Sequence, residues 1–308
     1  AVGLNALYEN TTASNNTAMG FRASEFTTTG TGNVSIGCGA LCANTTGSSN
    51  VAIGLEAMKK NTTASSNVGI GSSALTCNTT GTATVAIGQS SLFKNSTGSS
   101  HTAVGFRSMQ CNTTGDANTA FGSCALFTNT TGCYNVTVGV NSLKGVTTGC
   151  CNTAVGKDAG ENTTTGTNNH GFGFAACASS ATVSNQITLG NGSNDNLRCA
   201  DTSISSLSDL RDKENIEDIP HGLDYILAMR PVKFDWNTRD GTRIGKKDYG
   251  FIAQELDQVE ETFGNKEYTR LVSKENPEKW EADPMKTYPI LIKAIQELKA
   301  EIEELKKK

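Results

Sequence analysis

The sequence predicts a mainly β protein: a parallel β-solenoid or β-roll shaft with a 17-residue repeat, then a small α+β domain that ends in a coiled-coil helix. Three observations carry this. Glycines recur every 17 residues from Gly3 to Gly190. Charge is sparse before residue 200 and dense after it, and so sharp a change marks a domain boundary. The final stretch spaces its apolar residues four and three apart, a heptad seam. The expected organisation is a shaft over 1–200, a connector over 201–208, and a domain over 209–308 with a coiled coil over 286–308.

In the shaft, each repeating glycine follows an apolar residue, from Val2, Met19 and Ile36 to Phe172 and Leu189. An asparagine often stands four before the glycine, as at Asn33, Asn50, Asn118 and Asn135. An Asn-Thr-Thr-Gly block or a variant of it closes most units. A unit this short cannot bury a face alone, so the units must stack. Stacking puts equivalent residues about 4.8 Å apart, the strand spacing. The column from Val2 to Leu189 is the expected core rib. The glycine after it permits a positive-φ corner or a close backbone approach. Asn-Thr-Thr-Gly is turn chemistry, and Gly, Asn and Thr are weak helix formers. One rib is thin for a free-standing rod. Three chains about a common axis would bury more of it, so a homotrimer is expected. The units Asn50-Val51-Ala52-Ile53-Gly54 and Asn152-Thr153-Ala154-Val155-Gly156 resemble the head repeats of trimeric autotransporter adhesins, which implies parallel β-rolls assembled as trimers.

Composition narrows the function. A formal net charge of -4 argues against a nucleic-acid partner. No apolar run approaches the ~20 residues of a membrane span, so no membrane insertion is expected. There is no signal peptide, and the chain starts inside a repeat, so a longer protein is expected. The ten cysteines, Cys38 to Cys199, form no C-x-x-C framework and have no nearby histidine set. No metal or cofactor is therefore expected, and the cysteines read as small residues in place of Ala, Ser or Thr. Cys133 and Cys150 are one repeat apart and should stack. A polysaccharide depolymerase needs paired carboxylates. The shaft's few acids, such as Glu25, Glu56, Asp116 and Asp158, stand mostly repeats apart. Calcium-binding nonapeptides are absent, and Thr-Thr pairs do not line one face of a strand. What remains is a structural rod whose variable turns touch a host receptor or glycan.

After residue 200 the order is different. Ser208-Asp209-Leu210-Arg211-Asp212-Lys213-Glu214-Asn215-Ile216 places a serine, an acid and a lysine within six residues. The plain reading is a cap, with Ser208 or Asp209 opening a short helix. Pro220 then opens a helix with Leu223, Ile226 and Leu227 on one face. Residues Pro231–Trp236 alternate as a strand, and Asp240-Gly241 signals a hairpin turn. Tyr249–Leu256 starts as a strand and runs into a helix through Val259. A polar loop over 274–285 surrounds Trp280. Trp236 and Trp280 read as core or interface residues. Leu291, Ile295, Leu298, Ile302 and Leu305 form the seam of the last helix.

Four ordered motifs recur here: S-D-x-R-D-K-x-N-I, R-P-V-K-F-D-W, G-F-I-A-Q-E and A-I-Q-E-L-K. Over about 100 residues, from Ser208 to the end, they resemble the C-terminal intramolecular chaperone auto-processing domain of phage tail spikes and tail fibres. The resemblance implies a domain that drives trimerisation and folding of the fibre ahead of it, then releases itself by cutting between Ser208 and Asp209. It implies Ser208 as the reactive hydroxyl and Lys213 as its partner, a single-turnover Ser-Lys endopeptidase without a cofactor. A lysine serves as base only where desolvation or a neighbouring cation lowers its pKa; an intact trimer would supply that burial. It also implies assembly in the host cytoplasm and residence in the virion. The alternatives are a bacterial trimeric adhesin stalk and a glycan-degrading tail spike.

Overall fold

The computed structural model describes residues 1–194, 198, 208–239, 241, 243–264, 266–278 and 280–308. The connector 201–207, Cys199 and Asp240 lie outside the described residues. The chain divides into two compact units, Ala1–Asn191 and Gly192–Lys308.

The first unit is the expected solenoid. Eleven three-residue strands, from Thr17–Met19 (β1) to Ile187–Leu189 (β11), form one parallel sheet in sequence order. Each residue pairs with the one 17 positions on, as Val51 does with Val68. The glycine after each strand turns the chain. Gly54 has φ +135°, and a Cβ there would lie 2.5 Å from the carbonyl oxygen of Gly71. Only glycine allows rungs to stack so closely. Most of the other corners use left-handed residues that are not glycine, such as Glu56 (φ 55°), Met58 (φ 51°) and Ser66 (φ 61°), with Gly32, Gly39 and Gly160 taking the same positions in other rungs. Stacking stabilises them: their N–H groups donate to neighbouring rungs, Glu56 to Cys38 O at 2.9 Å and Met58 to Ala74 O at 2.9 Å.

The core rib differs from the expectation. Met19, Phe121, Val138, Phe172 and Leu189 are 42–57% exposed, and the column they belong to points outward. The inward column is the middle residue of each strand: Ala18, Ser35, Ala52, Gly69, Ala86 and Ala103. Side chains alternate across a strand, so a three-residue strand sends one side chain in and two out. The interior is too narrow for the larger ones. A Cβ on Gly69 would already lie 2.8 Å from Met58 Cγ. The remaining volume is filled from the turn by Leu41, Met58, Leu75, Leu92, Met109, Leu126 and Leu143, all buried.

Two buried asparagine ladders run beside this core. In the first, Asn50 Nδ2 donates to Ala64 O at 2.9 Å, and its Oδ1 accepts the Asn67 N–H at 3.1 Å. The second contains Asn44, Asn61, Asn78, Asn95, Asn112 and Asn129. Asn61 Nδ2 donates to Asn44 Oδ1 at 3.0 Å and to Ala64 O at 3.0 Å. Carbonyls that turn inward thus find donors, without which burial would cost ~1–3 kcal/mol each. His101 replaces an asparagine in the first ladder. Its Nδ1 accepts the Asn118 N–H at 3.2 Å, as an asparagine Oδ1 would.

The second unit is a small α+β domain. Its helices are Leu223–Ala228 (α1), Ala253–Phe263 (α2), Lys266–Thr269 (α3) and Tyr288–Leu305 (α4). Val232–Asp235 and Lys247–Gly250 pair antiparallel, as do Val272–Ser273 and Glu281–Ala282. The core gathers Tyr225, Met229, Leu256, Val259, Leu271 and Ile290. The first helix starts at Leu223 rather than Pro220, and Leu227 is 74% exposed. The six-residue helix turns Tyr225 inward instead, against Phe263 at a ring distance of 4.9 Å. Its N-terminus has no side-chain cap of its own; Glu297 on α4 accepts the Leu223 N–H at 2.7 Å. Trp236 and Trp280 are half-buried, outside the core, with Arg243 and Lys274 respectively over their rings at 4.5 Å.

Candidate functional site

The junction folds as a cap and brings a serine to a lysine in the same turn. Asp209 is extended (φ -69°, ψ 138°) and caps a 3-10 turn over Leu210–Asp212. Its Oδ1 accepts the Arg211 N–H at 2.9 Å. The Arg211 guanidinium grips the same carboxylate as a fork, Nε to Oδ1 at 3.0 Å and Nη2 to Oδ2 at 2.6 Å. These bonds from Arg211 hold the Asp209 carboxyl below the usual carboxylate range.

The turn closes at Lys213, whose N–H donates to Leu210 O at 3.2 Å. The six residues from Ser208 to Lys213 therefore fold back on themselves, and Lys213 Nζ donates to Ser208 Oγ at 2.6 Å. Capping and pairing hold together: Asp209 does the first, Ser208 and Lys213 the second. A hydroxyl and an amine at that separation are within proton-transfer reach. Every residue from Ser208 to Asp218 is exposed in the single chain. Arg211 was not among the expected site residues. Its signal was the i, i+2 spacing from Asp209, which lets an extended cap and a guanidinium share one side of the turn.

Elsewhere several charged groups are tied to each other. In the shaft, Glu25 pairs with Arg22, Glu56 with Lys59 and Asp158 with Lys157. Cys133 and Cys150 stack as expected, the Cys133 N–H donating to Cys150 Sγ at 3.1 Å. Among the described residues no group of three or more His, Cys, Asp or Glu side chains could hold a metal. No helix among them is long and apolar enough to cross a membrane. In the second unit, Glu260 is fully buried and accepts from Thr269 Oγ1 and from the Leu271 N–H, so it fastens α2 to the chain that follows α3.

Fold and site together define a repeat shaft followed by a domain that begins at a serine–lysine pair. Residues 208–265 match the family model described as chaperone of endosialidase, a peptidase family. The match starts at Ser208 itself. With the 17-residue solenoid ahead of it, it fits a tail spike or tail fibre that carries a C-terminal chaperone domain. No curated protein and no solved structure matches the chain.

Proposed function

We propose that the chain is a segment of a virion tail spike or tail fibre. Its C-terminal domain assembles three copies, sets the register of the shaft, and then detaches by cutting between Ser208 and Asp209. The observation that carries the cut is the 2.6 Å contact from Lys213 Nζ to Ser208 Oγ at the first residue of the family match. The observation that carries assembly is the last helix. Ile290 and Ala294 are buried, while the seam residues Leu291, Ile295, Leu298, Ile302 and Leu305 are 36–68% exposed. The seam is left for partners, and a homotrimer fits it.

Lys213 takes the hydroxyl proton, and desolvation of the pair in the assembled trimer is what lets an ammonium give up its charge. The hydroxyl attacks a Ser208 carbonyl carbon, the bond to the Asp209 nitrogen breaks, and Lys213 returns the proton to the departing amine. Water then hydrolyses the ester. Within one chain Ser208 Oγ reaches its own carbonyl carbon only by closing a four-membered ring. The carbonyl it attacks therefore belongs to another copy. Assembly takes place in the host cytoplasm, and the variable turns of the shaft serve host attachment to a receptor or glycan.

Intact mass of the purified full chain tests this. Wild type should give two products, ending at Ser208 and starting at Asp209. Ser208→Ala and Lys213→Ala should stay whole yet remain trimeric by light scattering. Co-expressed with wild type, tagged Ser208→Ala chains should be cut within mixed trimers. Uncut wild-type trimers would remove the peptidase and leave the chaperone. Uncut Ser208→Ala chains beside cut wild type would place the attack within one chain.

A further inference from the structure

Charge in the shaft is confined to one edge. Over residues 1–191 every Asp, Glu, Lys and Arg except Asp116 stands one to six residues after a corner glycine. Equivalent residues stack at the 17-residue repeat, so these turns form a single line along the shaft. Toward its ends the cations are paired, Arg22 with Glu25 and Lys157 with Asp158. From Glu56 to Lys144 the edge carries Lys59, Lys60, Lys94, Arg107 and Lys144 against Glu56 alone. Lys59 takes Glu56. Lys60 and Lys94 are exposed, Arg107 and Lys144 are half-buried, and none of these four makes an ion pair among the described residues. Arg107 is also held in place. Its guanidinium lies over the rings of Phe106 and Phe127, at 5.8 and 4.7 Å, and its Nε donates to Gln110 Oε1 at 2.6 Å. Its Nη groups have no partner among the described residues.

We propose that this edge binds a linear anionic glycan, one bearing carboxylates or sulfates, laid along the shaft axis. The inference rests on the host-attachment reading above and names its site and its ligand class. The cations run from the rung of Gly54 to that of Gly139, five steps of the strand spacing or about 24 Å. That length suits a polymer rather than one small anion. A guanidinium fixed by two rings and an amide is matched to two oxygens of a carboxylate or sulfate. Between the cations stand Ser72, Ser73, Gln89 and Ser90, partly or fully exposed, which offer hydrogen bonds to sugar hydroxyls. The rungs of Gly71 and Gly122, which lack a cation, have no acid on this edge to repel the ligand. Duplex nucleic acid fits less well. It carries one charge per ~1.7 Å, far denser than these cations, and the chain's net charge of -4 opposes it.

Affinity electrophoresis of the purified full chain tests it, with dextran, dextran sulfate, polygalacturonate or a thymidine homopolymer cast in the gel. Dextran sulfate, polygalacturonate or both should retard the protein, less so as salt rises, and neutral dextran should not. Which of the two anionic polymers retards it more assigns the sulfate or the carboxylate. The triple variant Lys60→Gln, Lys94→Gln, Arg107→Gln should bind at least ~10-fold more weakly. Lys157→Gln, at a cation already paired, should bind as wild type does. Cys77→Lys is the second arm: it adds a cation to the column between Lys60 and Lys94 and should tighten binding severalfold. Wild-type affinity in the triple variant, or in Cys77→Lys, overturns the edge. Retardation by neutral dextran that the triple variant keeps overturns the edge and preserves glycan attachment elsewhere on the chain. Retardation by the thymidine homopolymer alone overturns the glycan in favour of a polynucleotide. A chain that no glycan retards overturns the edge and the glycan branch of host attachment together, leaving a protein receptor.

Discussion

The shaft and the C-terminal domain bury their interiors by opposite means. The shaft closes on alanines, one leucine or methionine in each rung from Leu41 to Leu143, and two ladders of asparagine amides. The domain closes on Tyr225, Met229, Leu256, Val259, Leu271 and Ile290, each in an environment found once. Repetition has a consequence. Every rung of the shaft offers nearly the same partners, so a shift by one 17-residue unit exchanges Asn50 for Asn67 and changes little. A strand whose register is weakly specified is prone to slippage. The domain has no such degeneracy. A unique core is therefore suited to fix the register of a repetitive one, and this is the physical case for a chaperone placed after the shaft.

The strongest way to break the comparison is to separate the two units. Residues 1–207 expressed alone should aggregate or settle in mixed registers, seen as broad sedimentation and progressive proteolysis. A soluble, protease-resistant trimer from that truncation would show that the shaft sets its own register.

Much of this was legible in the sequence. The glycine period placed the strands, because only a residue without a Cβ tolerates a backbone 2.5 Å away. The spacing of Ser208, Asp209 and Lys213 was visible too, since a single turn suffices to close it. Which column faces inward was not legible. Hydrophobicity favours Ile53 over Ala52, but the narrow interior admits only the alanine. The left-handed Met58 and Leu75 were hidden for a similar reason: their conformation is stabilised by bonds to other rungs, not by local preference. Nor could the sequence show Glu297 capping a helix 74 residues away.

A second test sharpens the contrast through pH. His101 is 1% exposed and stands in for asparagine in the shaft's first ladder. Burial pushes its pKa from 6.5 down to about 4, against a weaker opposing pull from Asp116. The folded ring thus stays neutral where the unfolded chain takes up a proton. Shaft stability should be unaffected above pH 6.5, fall as pH drops from 6.5 to about 4, and then level off, with a total loss of about 3 kcal/mol. Thermal unfolding of wild type and His101→Asn across that range measures it. The asparagine variant should lose this component, because an amide at 101 accepts the same Asn118 N–H without titrating. An identical acid slope in both would show that the ladder tolerates a charge.

The smallest expected effect bears most directly on how the two interiors differ. The second asparagine ladder stops at Asn129, whose buried Oδ1 has no partner because position 146 is valine. Val146 keeps the backbone of the ladder, its N–H donating to Leu143 O at 3.2 Å as the Asn112 N–H does to Met109 O at 3.1 Å. Val146→Asn would extend the ladder by one rung, donating to Asn129 Oδ1 and to the carbonyl of Gly149. Satisfying a buried acceptor contributes ~1–3 kcal/mol, and losing the valine costs part of that, at ~1.5 kcal/mol for its burial. The net change expected lies between a loss of ~0.5 and a gain of ~1.5 kcal/mol, read as a small shift in the unfolding midpoint of the shaft. The matched substitution in the other unit, Val259→Asn, adds an amide to an apolar core with no ladder to receive it and should lower that domain's stability by ~3 kcal/mol. Equal destabilisation by the two would mean that the shaft interior, too, is held by apolar packing, and that its amides only fill space.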